Sequence, residues 1–279
     1  YPLAIKRLEI ALPQARAAGM LGQDIMGSGF DFDVRIKEGA GAFVCGEETA
    51  MIASLEGQRG IARPKPPYPA ARGYRGQPTV INNVETLACL PHIMRNGPEW
   101  FKNLALTESG AGTKIFCVSG RINQPGCYEL PLGVRLSEIV EVHAGGMRPG
   151  YEFRACLPGG ASTGFLPPEH YAIAMDYASL KAVGNRLGTG AIIVFDQKTC
   201  LVGATLNLTE FFARESCGWC TPCREGLPYI RDLLLRIEEG QGREEFIPML
   251  QRMSQHLWSS YCAFAPGAVS PAAVLPAGA

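Results

Sequence analysis

Three cysteines fall within seven residues in Cys217-Gly-Trp-Cys220-Thr-Pro-Cys223. Thiols that close together are not needed to fill a core, and as thiolates they are the donors that soft metal centres take. A C-x2-C-x2-C run can wrap one corner of a cube of iron and sulfide. The bacterial ferredoxin run then adds C-x3-C-P, but here that fourth position is Leu227, so this is not a ferredoxin module. Zinc sites pair two CxxC knuckles, or one CxxC with two histidines. The only histidine downstream is His256. The grouping favours an iron–sulfur cluster over zinc. The fourth ligand must come from elsewhere, from Cys200 or Cys262. Beside the run, Gly218 allows close backbone approach, Pro222 stiffens the loop, and Arg224 places a cation next to an anionic cluster.

A second set of residues suits nucleotide chemistry. Gly39-Ala-Gly41-Ala-Phe43-Val44-Cys45-Gly46-Glu47-Glu48 lies between an alternating segment, Phe32–Ile36, and a helical one, Thr49–Leu55, which Gly57 ends. Strand, glycine loop and helix form the setting of phosphate binding, although Val44 occupies the position of the last fingerprint glycine. Glu47 and Glu48 are first-turn acids that the helix dipole favours. They repel a phosphate, so with a bound nucleotide they face its nicotinamide or ribose side. Arg63-Pro-Lys65-Pro-Pro-Tyr68-Pro69 reads as a stiff, extended rail displaying a cation and an aromatic ring, or as a proline-rich linker. Thr79–Ile81 reads as a strand running into a helix that Asn82 or Asn83 caps. Two amides and Thr86 exceed what a cap requires and suit a phosphate or polyol.

The elements that must position these groups follow from periodicity. Leu227, Ile230, Leu234 and Ile237 form one helical stripe, stopped by Gly240 and Gly242. Phe246, Leu250, Met253 and Leu257 form a second. A hairpin of two such helices returns Cys262 towards Cys223, which favours Cys262 over Cys200. Upstream, a further helix runs through Leu208–Ala213. Between Lys114 and Asp196 the pattern is short strands (Lys114–Ser119, Gly126–Glu129, Arg154–Leu157, Ala191–Phe195) with one short helix at Leu136–Val142. This small α+β unit carries no clustered catalytic types. The remaining cysteines, such as Cys89 and Cys117, read as small core hydrophobes, and the stretch beyond Ala263 shows no packing pattern.

Composition narrows the class. Lys plus Arg and Asp plus Glu number 26 each in 279 residues, so there is no electrostatic footprint for nucleic acid or an anionic membrane. The longest apolar runs, such as Ala191–Phe195, are far shorter than the ~20 residues a spanning helix needs. Ten cysteines are too sparse for a disulfide scaffold, and Tyr1 opens no signal-peptide pattern.

Taken together, Gly39–Glu48, Arg63–Pro69, Ile81–Thr86 and Glu215-Ser-Cys217-Gly-Trp-Cys220-Thr-Pro-Cys223-Arg-Glu-Gly226 resemble the NADH-binding flavoprotein subunit of respiratory complex I. The same module occurs in NAD-reducing hydrogenases and NAD-dependent formate dehydrogenases. The resemblance covers essentially the whole chain. It implies α/β, α+β and all-α parts: the C-terminal part of a Rossmann-like FMN/NADH domain over 1–110, a ubiquitin-like β-grasp (SLBB) domain over 111–198, and a helical-bundle 4Fe-4S domain with a tail over 199–279. It implies FMN contacts at Glu47 or Glu48, Ile81, Asn82, Asn83 and Thr86, with Gly39 and Gly41 in the cofactor loop. It implies NADH contacts at Glu48, Lys65 and Tyr68, and cluster ligands at Cys217, Cys220, Cys223 and Cys262.

The activity implied is hydride transfer between NADH and FMN, followed by single electrons to the cluster and on to partner iron–sulfur subunits, one thioredoxin-like with a 2Fe-2S centre and one larger. No residue acts as acid or base. A cytoplasmic location follows, at the cytoplasmic side of the membrane when in a complex, with no direct membrane insertion. Two departures stand out: Phe43 replaces a tyrosine common in the family, and the family's first glycine-rich FMN loop, upstream of this chain, is absent. The expectation is a fragment, the C-terminal two-thirds of such a subunit, holding FMN poorly alone. Trp219 and the Ser260–Pro266 run lean towards a soluble module. The rival from another class is a non-catalytic scaffold with a structural metal.

Overall fold

The computed structural model describes residues 1–273 and divides into two compact units, Tyr1–Ala42 and Phe43–Ala279. The first unit contains one α-helix, α1 (Pro2–Ala17), with no buried residue, and a short 3-10 turn at Ile25–Gly27. A single bridge joins Gly22 and Phe32, and Arg16 binds Asp33 at 2.9 Å. The strand expected at Phe32–Ile36 does not form. Alternation alone cannot close a strand's backbone groups without a neighbouring ladder, and none lies alongside among the described residues.

The second unit opens with α2 (Glu48–Leu55), α3 (Val84–Asn96) and α4 (Pro98–Lys102). The strand expected at Thr79–Ile81 is likewise irregular, for the same reason. The 65–67 stretch bends and a turn follows, so the proline-rich segment is not the extended rail expected of it.

Four strands then make one mixed sheet: β1 (Thr113–Gly120), β2 (Gly126–Pro131), β3 (Phe153–Leu157) and β4 (Ala191–Asp196), in the order β2-β1-β4-β3. The central pair β1–β4 is parallel and both outer pairs are antiparallel, the β-grasp layout that the resemblance implied. One face is covered by α5 (Leu136–Glu138), the wider turn continuing it to His143, and α6 (Tyr177–Ala182). Phe116, Val118, Ile192 and Val194 meet Leu136, Ile139, Val140 and Leu180 there.

The last layer is helical: α7 (Leu201–Glu215), α8 (Thr221–Glu238), α9 (Phe246–Leu257) and α10 (Phe264–Ala273). Leu227, Ile230, Leu234, Phe246, Leu250 and Leu257 are buried together, as the two stripes demand. Gly226 lets α8 and α9 approach closely, since a Cβ there would lie 2.5 Å from Leu257. Gly240, at φ +75°, supplies the left-handed residue that stops α8. Leu201 and Leu208 of α7 cover the far face of β3 and β4 with Phe165, so the bundle is anchored on the sheet.

The stretch after Ala263 departs from expectation. It is a helix, with Ala265, Ala268 and Val269 almost fully buried. A helix apolar all round leaves no amphipathic pattern, and its small residues let neighbours come near. A Cβ on Gly267 would lie 3.0 Å from the Arg186 guanidinium. The end of the expected tail, 274–279, lies outside the described residues.

Candidate functional site

The cysteine run sits where α7 hands over to α8. Cys217 lies in the connecting loop, Cys220 is the last residue before α8, and Cys223 is in its first turn with Pro222 ahead of it. Proline suits a helix start because its missing N–H would be unsatisfied there anyway. Gly218 takes φ +74°, which bends the loop around the sulfurs. Its N–H donates to Ser216 Oγ at 3.2 Å, and Ser216 Oγ lies 3.1 Å from Cys223 Sγ.

The α8–α9 hairpin returns Cys262 to this loop. Trp219, beside Cys220, and Tyr261, beside Cys262, bring their ring centroids to 4.9 Å, so an aromatic contact ties the two thiol-bearing segments. Cys217, Cys220 and Cys262 pack against the same core as Cys223. Burial pushes the Cys223 thiol up to about 11, Ser216 opposes this, and the neighbouring thiols of Cys220, Cys262 and Cys217 add to it. Cys200 is elsewhere: it is exposed, caps α7 by accepting from Gly203 N–H at 3.4 Å, and meets Glu238 Oε2 at 3.4 Å.

Among the described residues no three His, Cys, Asp or Glu side chains close around a point fit for one metal ion. Yet four thiols gather here, and the Ser260 hydroxyl near Cys262 is buried without a partner. Four thiols gathered on one core, with no histidine among them, are a soft donor set that fits an iron–sulfur cluster.

Two arginines hold the loop. Arg59 Nη2 donates to the Cys217 carbonyl at 2.9 Å, and Arg224 Nη1 donates to the carbonyls of Gly218 at 3.0 Å and Trp219 at 3.4 Å. Arg224 therefore faces the loop, as its position beside the thiols suggested. Arg59 carried no sequence signal, because only the fold brings it across. Glu215 was also missed: its carboxylate accepts from the Phe43 N–H at 3.0 Å. The Phe43 ring stands edge-on to Phe211, Phe212 and Phe264, at 5.6, 5.4 and 5.8 Å.

Four residues on from Phe43, Glu47 is the N-cap of α2. Its carboxylate accepts from the N–H groups of Thr49 and Ala50, both at 2.9 Å, and from the Thr49 hydroxyl. Lys65 Nζ lies between the two acids, 3.1 Å from Glu47 Oε1 and hydrogen-bonded to Glu48 Oε1. Burial alone would raise the Glu47 carboxyl, but Thr49, Ala50 and Lys65 hold it below its ordinary range. Burial alone would lower the Lys65 ammonium, but Glu48 and Glu47 raise it. The result is a charged triad at a helix start, with Tyr68 exposed nearby in sequence.

At the start of α3, Asn83 Oδ1 caps the helix by accepting from Glu85 N–H at 2.8 Å. Asn82 and Thr86 are exposed and Ile81 is half-buried. Glu85 fastens this turn to the sheet, accepting from Ile115 N–H and Lys114 Nζ, both at 2.9 Å. Among the described residues, no hydrogen bond or ion pair joins the Asn82–Thr86 group to the Glu47–Lys65 triad. Gly41 takes φ +78°, and a side chain at Gly39 or Gly41 would meet open space.

Comparison with known proteins matches three family descriptions in order: Nuo51 FMN-binding domain over residues 1–92, SLBB domain over 115–166, and NADH-ubiquinone oxidoreductase-F iron-sulfur binding region over 203–275. The F subunit of the NADH-quinone oxidoreductase of Salmonella typhimurium is 48% identical over 273 residues, covering 97% of this chain and 61% of that protein. Its counterpart in Mycobacterium tuberculosis is 46% identical over 268 residues, covering 96% of this chain and 60% of that one. The chain thus spans about three-fifths of the length of the curated relatives it matches. Among solved structures, a chain of an NAD+-reducing [NiFe]-hydrogenase in the H2-reduced state superposes with TM-score 0.85 at 36% identity, over 98% of this chain and 45% of that one.

Proposed function

We propose that the chain belongs to the family of FMN- and iron–sulfur-binding flavoprotein subunits typified by the F subunit of NADH-quinone oxidoreductase, and that it works as part of an NADH-oxidising subunit. The convergence of Cys217, Cys220, Cys223 and Cys262 on one loop carries this reading. Those four thiols would hold the 4Fe-4S cluster. Its domains run 1–110, 111–198 and 199–279, in agreement with the order of the matched regions.

FMN supplies, when bound, the link between two-electron hydride chemistry and one-electron chemistry. The chain's own residues position the reactants. Ile81, Asn82, Asn83 and Thr86 would present amides and a hydroxyl to the cofactor at a helix N-terminus. Lys65, Glu48 and Tyr68 orient NADH, and Glu47 fixes Lys65 from the helix cap. Arg59 and Arg224 hold the cysteine loop and set positive charge beside it, which favours the reduced cluster.

Electrons leave to partner iron–sulfur subunits, in a quinone-reducing or a hydrogenase complex, at the cytoplasmic side of a membrane in the first case. Among the described residues no helix is long and apolar enough to cross a membrane.

Anaerobic reconstitution with ferrous iron and sulfide, followed by FMN and NADH, tests the reading. Iron and acid-labile sulfide in equal amounts, with a visible spectrum bleached by NADH only when FMN is present, support it. Uptake of zinc in place of iron and sulfide, with no visible absorption, overturns it in favour of a structural-metal scaffold.

A further inference from the structure

Cys117 and Cys127 stand directly opposite each other on β1 and β2, in a register unbroken from Thr113↔Pro131 to Val118↔Gly126. The Cys117 N–H donates to Gly190 O at 3.0 Å, on the β4 side, so it points away from β2. The two cysteines are therefore a non-hydrogen-bonded pair, the kind whose Cα atoms approach to about 4.5 Å, inside the usual disulfide range of roughly 4.4–6.8 Å. Their sulfurs lie 3.1 Å apart. Both residues are exposed, which corrects the expectation that Cys117 fills a core. Only Cys156 of the sheet's cysteines is buried, on β3. On this stretch of β1 the outward face carries Ile115, itself 45% exposed, whose N–H donates to Glu85 at the start of α3.

We propose that Cys117 and Cys127 form a reversible dithiol–disulfide couple, oxidised by exchange with an aliphatic disulfide of the glutathione class. One thiol loses its proton and its sulfur attacks the small disulfide, releasing one small thiol and leaving a mixed disulfide. The second cysteine then loses its proton and attacks the protein-bound sulfur, releasing the other small thiol. The protein loses two electrons and two protons, and one small disulfide becomes two thiols. Pairing across the strands makes the second step intramolecular, so the mixed disulfide does not persist. The hydrogen bond to Cys127 pushes the Cys117 thiol up to about 11, aided by burial and by the charges of Cys127 and Glu85 and opposed by Lys114. This couple is independent of the cluster and flavin chemistry proposed above, and its test reads neither.

The full chain is equilibrated anaerobically with graded ratios of reduced to oxidised glutathione, quenched by alkylation and mapped by peptide mass spectrometry. The expected result is a linked 117/127 peptide pair that appears with oxidised glutathione and returns to two alkylated thiols with the reduced form. Cys117→Ser and Cys127→Ser should instead each hold a stable glutathione adduct on the remaining cysteine. Persistent glutathione adducts on both cysteines of the unmodified chain, or alkylation of both at every ratio, would overturn the proposal. Cys156 alkylated only after unfolding shows that the chain was folded throughout.

Discussion

The guanidinium of Arg59 reaches across the fold to the backbone carbonyl of Cys217, at 2.9 Å, from a segment more than 150 positions earlier in the chain. With Arg224 on the next two carbonyls, the cysteine loop is fastened from both sides. Replacing Arg59 by Gln keeps a donor but removes the charge. The cluster's midpoint potential should then fall relative to the unchanged chain, read by an EPR-monitored redox titration, and Arg224→Gln should act in the same direction. A potential unmoved in both variants would show that the arginines only brace the loop.

Cys262→Ser should lose most of the reconstituted iron and sulfide, whereas Cys200→Ser should retain it. Cys200 sits with Glu238 and Gly203 at the start of α7. The comparison is made by iron and acid-labile sulfide assays on folded protein, with circular dichroism as the control. Equal loss in both variants would relocate the fourth ligand.

The hairpin that delivers Cys262 depends on packing between α8 and α9. Leu257→Ala removes a fully buried side chain that lies against Gly226. A loss of about 2–5 kcal/mol is expected from such a truncation, seen as a lower midpoint in urea. Cluster retention should fall with it, because Cys262 lies just beyond that helix.

Stability should decline on the acid side. Glu47, Glu85, Asp176 and Asp196 all carry folded-state pKa values below their ordinary ones. For Glu47 and Glu85 burial alone would raise the value, but partners such as Thr49 and Ala50, or Ile115 and Lys114, overcome it. A carboxyl lowered on folding contributes fully above its unfolded pKa and loses that contribution as pH falls through the folded one. The decline therefore belongs below about pH 4. Glu47→Gln should flatten that slope and, by weakening the α2 cap, cost about 0.5–2 kcal/mol near neutrality. Urea unfolding at several pH values measures both.

Much of this was legible in advance where the pattern was local. The stripes on α8 and α9, a cap of α3 by Asn82 or Asn83, and the four short strands follow from spacing within a few turns. What failed was non-local. Phe32–Ile36 and Thr79–Ile81 alternate like strands but have no neighbour to pair with. The α10 helix has no polar face to give it a period. Cys117 looks like a core residue in sequence, and only the side on which β1 is covered decides otherwise. Arg59 and Glu215 acquire their partners purely by tertiary approach.

The Phe43 ring, held edge-on by three phenylalanines, has a mechanical consequence. Phe43 opens the turn that leads to the acidic pair, and its aromatic neighbours belong to α7 and α10. Interlocked rings resist sliding. They pin the turn before Glu47 to the two helices that flank the cysteine loop, so a push on either helix is felt at the α2 cap.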